Sequence, residues 1–209
     1  MSKMTRVFVL LFSLLLLACS HAEQRAAVPV GATVLVLGDS ISYGTGANAG
    51  EDYPTLLAAK TGWNIINAGV PGDTTEMALA RLPELLEAHS PKLVLVELGG
   101  NDFLHHVPRT QTMDNLKKML AMMHTKQTPT VMLAIPKVSL LGAAVGNLSD
   151  DPMYEELGKQ TDAAVISDAL SSLLGQNELK SDQVHLNALG YQKLAEALTE
   201  SLKAQGFLR

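Results

Sequence analysis

The chain has 209 residues, a length typical of one domain, and 47% of them are hydrophobic, which is enough to build a sizeable core. It carries 16 basic and 21 acidic residues, a formal net charge of −5. Because the basic residues form no cluster, the composition argues against nucleic acid as a partner.

The first 31 residues look like a secretion signal and a short tether. Lys3 and Arg6 precede the apolar run Val7 to Leu17, which is too short to span a bilayer. The stretch Leu16-Leu17-Ala18-Cys19 resembles a bacterial lipoprotein signal, in which cleavage falls before the cysteine and the cysteine carries the lipid. We therefore predict a lipoprotein signal peptide at 1–18, a lipidated tether at 19–31 and one domain at 32–209.

Cys19 is the only cysteine, so the chain cannot form an internal disulfide. A single cysteine directly after the signal fits lipidation. The residue after Cys19 is Ser20 rather than aspartate. In the class of lipoproteins that this signal resembles, the lack of aspartate favours transfer to the outer membrane. The predicted location is the bacterial cell envelope, with the membrane reached through the lipid anchor. The alternative is an ordinary secretory signal with an accidental cysteine.

From Thr33 onward, short apolar runs alternate with helical patterns. Strands are predicted at 33–37, 63–68, 93–98, 130–135 and 163–166, and helices at 52–61, from 73 or 74 to 89, and at 113–125, 152–159, 168–174 and 188–204. One helical turn or a loop is predicted after Ser40. This alternation indicates an α/β protein with three layers, in which helices cover both faces of a five-stranded parallel sheet.

Three of these strands end in glycine-containing turns that carry Ser40, Gly69 and Asn101. Parallel strands all point the same way, so these residues are predicted to lie at one edge of the sheet, where such folds bind ligands. Serine needs a neighbouring base to act as a nucleophile, and Asp182-x-x-His185 has the spacing of a carboxylate that orients an imidazole. Alternatively, Asp39 and Ser40 only cap a helix, and Asp182 and His185 only form a surface turn.

Four blocks in this order resemble the SGNH, or GDSL, hydrolase family: Gly38-Asp39-Ser40, Gly69, Gly99-x-Asn101-Asp102 and Asp182-x-x-His185. Within it the chain looks most like the bacterial thioesterase I/protease I/lysophospholipase L1 (arylesterase) group, especially at 80–86 and 95–102. The resemblance implies the flavodoxin-like SGNH hydrolase fold. One departure is Leu186, which stands where the family often has proline.

The resemblance also implies roles for individual residues. Ser40 attacks the acyl carbonyl, His185 exchanges the proton, and Asp182 orients the imidazole. The Ser40 and Gly69 backbone N–H groups and the Asn101 side chain form the oxyanion hole. No metal site and no cofactor are predicted, and Asp39 and Asp102 are interpreted as structural.

The loops after the third and fourth strands are apolar, and we predict that they form an acyl groove for short or medium chains. Its predicted lining is Phe103, Leu104, Val138, Leu140 and Leu141. The predicted function is therefore a serine esterase that cleaves carboxylic esters or thioesters, including aryl esters and lysophospholipids. The alternatives are an O-acetyl esterase acting on envelope glycans and a catalytically idle envelope lipoprotein that binds a partner.

Overall fold

The computed structural model describes residues 26–137 and 148–209. The predicted signal peptide, Cys19, and the groove residues Val138, Leu140 and Leu141 lie outside the described residues. No helix within the described ranges combines the length and the apolar character that a bilayer span requires.

A five-stranded, wholly parallel sheet forms the centre of the domain, in the strand order β2-β1-β3-β4-β5. The strands are β1 Thr33–Gly38, β2 Asn64–Gly69, β3 Leu93–Glu97, β4 Thr130–Leu133 and β5 Ala164–Ile166. This confirms the predicted α/β class and the five-stranded parallel sheet. Val34 to Leu37 of β1 have no exposed surface, as expected for a strand buried on both faces.

Eight α-helices follow these strands within the described residues. They are α1 Ser40–Tyr43, α2 Tyr53–Thr61, α3 Thr75–His89, α4 Gly100–Leu104, α5 Arg109–Thr125, α6 Met153–Gln160, α7 Ala169–Leu174 and α8 Ala188–Ala204. A short 3₁₀ turn, Asn177–Leu179, precedes the segment that carries Asp182 and His185.

One helix was not predicted, and another begins several residues earlier than predicted. The pattern missed α4, because a five-residue helix is too short to show a periodicity; it begins after Gly99, whose φ of 122° favours glycine. Helix α5 begins at Arg109, four residues before the predicted start, because its first turn is polar and exposed and gives no apolar signal. Both differences lie in the loop region near Asn101.

The folded part also begins earlier than the predicted tether boundary. Val28 is buried, its N–H donates to the Phe207 carbonyl over 2.9 Å, and its own carbonyl accepts from Trp63 Nε1 over 3.2 Å. The Gly31 N–H donates to the Gly62 carbonyl over 2.8 Å. These contacts attach the chain to the N-terminal edge of the sheet, opposite the edge that carries Ser40.

Candidate active site

Ser40, His185 and Asp182 form one hydrogen-bonded chain. His185 Nε2 lies 2.9 Å from Ser40 Oγ, and His185 Nδ1 lies 2.7 Å from Asp182 Oδ2. Ser40 and His185 are 145 residues apart in sequence, so only the fold brings them together. With Nδ1–H donating to the carboxylate, Nε2 is the nitrogen that accepts a proton from the serine, which is the arrangement of a serine nucleophile with its base.

Asp182 fixes its own loop as well as the imidazole. Its Oδ1 accepts from the N–H groups of Val184 (2.8 Å) and His185 (2.9 Å). Burial raises the pKa of this carboxyl, but the hydrogen bonds from the His185 ring and these two N–H groups outweigh it and lower the pKa. Asp182 is therefore held as a carboxylate, the form that accepts the imidazole proton.

The loop that carries His185 is tied down despite the departure at position 186. The Ser181 N–H donates to the His185 carbonyl over 3.0 Å, and the Asn187 N–H donates to the Leu179 carbonyl over 2.9 Å. Leu186 is fully buried in the core cluster. Leucine at this position therefore anchors the loop by packing, and the histidine still reaches Ser40.

Ser40 stands at the start of α1, directly after β1. Asp39 is the N-cap residue, and its Oδ1 accepts from the Ile41 N–H over 3.0 Å. The Ser40 N–H finds no acceptor among the described residues, so it is available to a substrate oxygen at the first turn of the helix.

Asn101, in the first turn of α4, faces the same pocket and is held by two acceptors. Its Nδ2 donates to Asp39 Oδ2 over 3.1 Å and to the Asp73 carbonyl over 3.0 Å. Asp73 in turn pairs with Arg81 over 2.8 Å. Both amide protons are thus engaged, and an incoming oxyanion has to share one of them.

Gly69 does not face this pocket. Its N–H donates to Asn67 Oδ1 over 2.9 Å, and a Cβ at this position would meet the Tyr43 nitrogen at 2.4 Å. The glycine is therefore required by the close approach of the α1 backbone. The Gly69 N–H, which the resemblance implies as an oxyanion donor, is already engaged by Asn67. Gly72 in the same loop has an N–H without an acceptor among the described residues, and it precedes Asp73, whose carbonyl binds Asn101.

The two carboxyls interpreted as structural do bind main-chain groups. Asp39 caps α1 as described above, and Asp102 accepts from the Thr75 N–H over 2.8 Å, which joins α4 to the start of α3. That interpretation is confirmed. Among the described residues, no group of three or more histidine, cysteine, aspartate or glutamate side chains could hold a metal.

A further buried carboxyl, Glu97 at the end of β3, was not predicted. Burial raises the pKa of Asp39 to about 6, and burial together with the charge of Asp39 raises the pKa of Glu97 well above its usual range. The sequence signal was available: a single charged residue ends an apolar strand at the catalytic edge.

A cavity of about 230 Å³ opens beside Ser40 and His185. Leu104 lines it as predicted, whereas Phe103 packs against the core and is not part of the lining. Most of the apolar lining was not predicted, because its side chains come from segments that are far apart in the sequence: Ile135, Pro136, Leu148, Leu170, Leu174 and Val184.

The chain is similar to known ester-cleaving enzymes over most of its length. A model of the GDSL-like Lipase/Acylhydrolase family matches residues 36–193. The chain is 31% identical over 176 residues to the thioesterase 1/protease 1/lysophospholipase L1 of Escherichia coli K12, covering 82% of this chain and 83% of the relative. It is 31% identical over 198 residues to an arylesterase of Vibrio mimicus, covering 92% of this chain and 96% of the relative.

The fold is similar to that of a psychrotrophic esterase, EstA, from Pseudoalteromonas, whose structure was solved inhibited by monoethylphosphonate. The TM-score is 0.72 at 26% identity, covering 82% of this chain and 97% of EstA. The parallel sheet, the match to the family model and the similarity to the two relatives all indicate the same family. The chain therefore belongs to the GDSL-like lipase/acylhydrolase family and is an ester-hydrolysing enzyme.

Proposed function

We propose that this enzyme is a serine esterase that works through an acyl-enzyme on Ser40 and accepts short- to medium-chain acyl esters or thioesters. The observation that carries the proposal is the continuous path from Ser40 Oγ through His185 to Asp182, with contacts of 2.9 and 2.7 Å. Aryl esters, lysophospholipids and acyl thioesters are the substrates we would test first.

The chemistry follows from these contacts. Ser40 Oγ attacks the acyl carbonyl while His185 Nε2 takes its proton, and the protonated imidazole then gives that proton to the leaving group. A water molecule, deprotonated by the same nitrogen, attacks the acyl-enzyme, and the imidazolium then returns that proton to Ser40 Oγ as the acid is released. The Asp182 carboxylate keeps the imidazole in the required tautomer and stabilises its charged form.

Donors near Ser40 would stabilise the oxyanion. The Ser40 N–H has no intramolecular acceptor among the described residues, and the Asn101 side chain lies beside Asp39 at the same edge. Gly72, in the loop that follows β2, is a better main-chain donor than Gly69 at the end of β2, because the Gly69 N–H already donates to Asn67. Such fixed dipoles act on a charge that appears only in the transition state.

The lining of the cavity supports an acyl chain as the occupant. Leu170 and Leu174 of α7 and Ile135 after β4 give it an apolar wall, with His185 and Ser40 at the polar end. An aliphatic chain bound there would leave its carbonyl at the serine. This apolar wall favours an acyl ester over an acetylated glycan as the substrate.

Two measurements test the proposal. A serine-reactive phosphonate should label Ser40 and stop hydrolysis of p-nitrophenyl butyrate, and Ser40→Ala should lower kcat by at least about 10⁴-fold. Labelling at another residue, or an active Ser40→Ala, would remove Ser40 from the mechanism. An unlabelled, inactive protein would favour the binding lipoprotein, and acetate release exceeding fatty-acid release would favour the O-acetyl esterase.

The acyl pocket has its own test. Leu174→Phe should lower kcat/KM on the longest accepted acyl chain by about tenfold or more, and leave the shortest nearly unchanged. Leu173→Phe is the matched control, because Leu173 immediately precedes Leu174 in α7 and does not line the cavity. Identical chain-length profiles for both variants would remove the pocket from the proposal.

We further propose that Cys19 carries a lipid that holds the enzyme on the bacterial outer membrane. The point where the chain enters the domain supports a particular orientation of the enzyme on the membrane. The chain enters near Val28 and Gly31, at the sheet edge opposite Ser40. An anchor there would point the catalytic edge away from the membrane that holds it. Cys19→Ala should abolish incorporation of labelled palmitate and release activity from the membrane fraction; unchanged labelling would overturn the assignment.

A further inference from the structure

Glu97 is a buried carboxyl that the triad does not use. Its side chain is 1% exposed, and it lies at the end of β3 beneath the turn that carries Ser40. Among the described residues it has no ion-pair partner. A carboxyl buried without a cation is costly, so its position calls for contacts that compensate for the burial.

Those contacts are made by the main chain on both sides of Ser40. Glu97 Oε2 accepts from the Ser42 N–H over 3.2 Å and from the Asp39 N–H over 3.4 Å. It also accepts from the Ser42 hydroxyl over 2.8 Å. Tyr53 then has to donate its hydroxyl proton to Ser42 Oγ, 2.8 Å away, because the Ser42 proton is directed to Glu97.

The turn held by Glu97 has little stability of its own. Helix α1 is only four residues long, and an isolated helix of that length is far below the size that is stable in water. Glu97 binds the residue before Ser40 and the residue two positions after it. It therefore restrains the direction of both the Ser40 hydroxyl and the free Ser40 N–H.

Through Asp39, Glu97 is also linked to Asn101 on the other side of the site. Asp39, whose N–H donates to Glu97, accepts from Asn101 Nδ2 over 3.1 Å. Displacing the Asp39 main chain would therefore move the nucleophile and the amide together.

We propose that Glu97 is a positioning residue for acyl transfer, which sets the Ser40 turn by accepting hydrogen bonds from both sides of the nucleophile. The inference rests on the proposed role of Ser40. What it requires of residue 97 is an acceptor oxygen at this place rather than a negative charge.

The surrounding charges agree with that requirement. Asp39 and Tyr53 are titratable groups that face Glu97. Asp39 is in turn faced by His185 and Asp73. Asp73 forms an ion pair with Arg81. Burial raises the pKa of Glu97 well above its usual range, which favours the neutral acid more than in an exposed glutamate. Glutamine keeps an acceptor oxygen in the same shape, whereas leucine offers none.

The experiment compares Glu97→Gln with Glu97→Leu by kcat and KM on p-nitrophenyl butyrate, by the rate of phosphonate labelling and by thermal melting. Glu97→Leu should lower kcat about 10–100-fold with KM changed less than about threefold, because a misplaced nucleophile loses rate rather than binding. Glu97→Gln should retain kcat within about threefold. Trp63→Phe, which removes a buried hydrogen bond at the opposite sheet edge, should lower the melting temperature and leave kcat unchanged.

Each remaining outcome decides the matter. A folded Glu97→Leu with normal kcat, or a Glu97→Gln as slow as Glu97→Leu, overturns the inference. If Glu97→Leu does not fold, Ser42→Ala decides, since it removes one of the three donors: a loss of kcat of about threefold or more at unchanged KM supports the inference and an unchanged kcat overturns it. An active Ser40→Ala would instead sink the proposed function itself.

Discussion

Asn101 and Asp39 are joined by a hydrogen bond of 3.1 Å, although 62 residues separate them in sequence. Asp39 precedes the nucleophile, and Asn101 lies in the first turn of α4. This contact makes the proposed nucleophile turn and the proposed oxyanion donor one unit. It also means that a substrate must compete with Asp39 and the Asp73 carbonyl for the amide protons.

Asn101→Ala should lower kcat by roughly 10²–10³-fold with little change in KM, because the lost donor acts on charge that develops in the transition state. Steady-state kinetics on one aryl ester would measure this. Asn115→Ala is the control: its amide donates to Thr75 Oγ1 over 3.1 Å, away from Ser40. It should lower the melting temperature and keep kcat; a normal kcat in Asn101→Ala would exclude the amide from catalysis.

Asp182→Asn should lower kcat by about 10⁴-fold, because the amide no longer fixes Nδ1–H and the wrong imidazole tautomer forms, as in serine-protease triads. The chain offers a matched pair, since His124 Nδ1 lies 3.1 Å from Asp162 Oδ2 on the exposed surface. Asp162→Asn should therefore leave kcat unchanged. Equal effects of the two substitutions would contradict the role of Asp182.

Gly69→Ala should lower both the melting temperature and kcat, the latter by about 10²-fold, because the new Cβ would lie 2.7 Å from the Ser42 carbonyl carbon and 2.9 Å from the Asp39 oxygen. The turn that carries Ser40 would have to move. Gly50→Ala serves as control, since open space surrounds Gly50 and only its φ of 86° is strained. That variant should lose about 1–2 kcal/mol of stability and retain kcat.

The buried carboxyls predict an unusual dependence of stability on pH. Burial raises the pKa of Asp39 from 3.8 to about 6, so between these values the folded state binds more protons than the unfolded state and stability falls as pH rises. Glu97 has the same sign, since its pKa is also raised by burial. Asp182 has the opposite sign, but its effect lies below pH 4 because its pKa is lowered.

Melting temperatures at pH 5.5 and 7.5 measure this. The melting temperature of the wild type should fall more than that of Glu97→Gln between these two pH values, because glutamine removes the carboxyl whose pKa burial raises. Parallel pH profiles for the two proteins would show that Glu97 titrates normally.

The sequence by itself determined the sheet, because uncharged strands buried on both faces and alternating helices leave few other arrangements. It also placed Ser40, Asn101 and the Asp182–His185 turn at strand ends or on a loop, because the residue types and their spacing indicate these positions directly. The family resemblance implied the Gly69 N–H as an oxyanion donor, whereas in the structure that N–H donates to Asn67 Oδ1, a direction that a linear pattern does not show.

Only the tertiary structure decided which side chains meet. The approach of Ser40 to His185, the contact of Asn101 with Asp39 and the burial of Glu97 under α1 join segments 55 to 145 residues apart. The cavity wall likewise combines the segment after β4, α7 and the His185 loop. Such contacts depend on how the layers pack around the sheet, and hydrophobic periodicity, which records only the buried face of each element, contains no information about them.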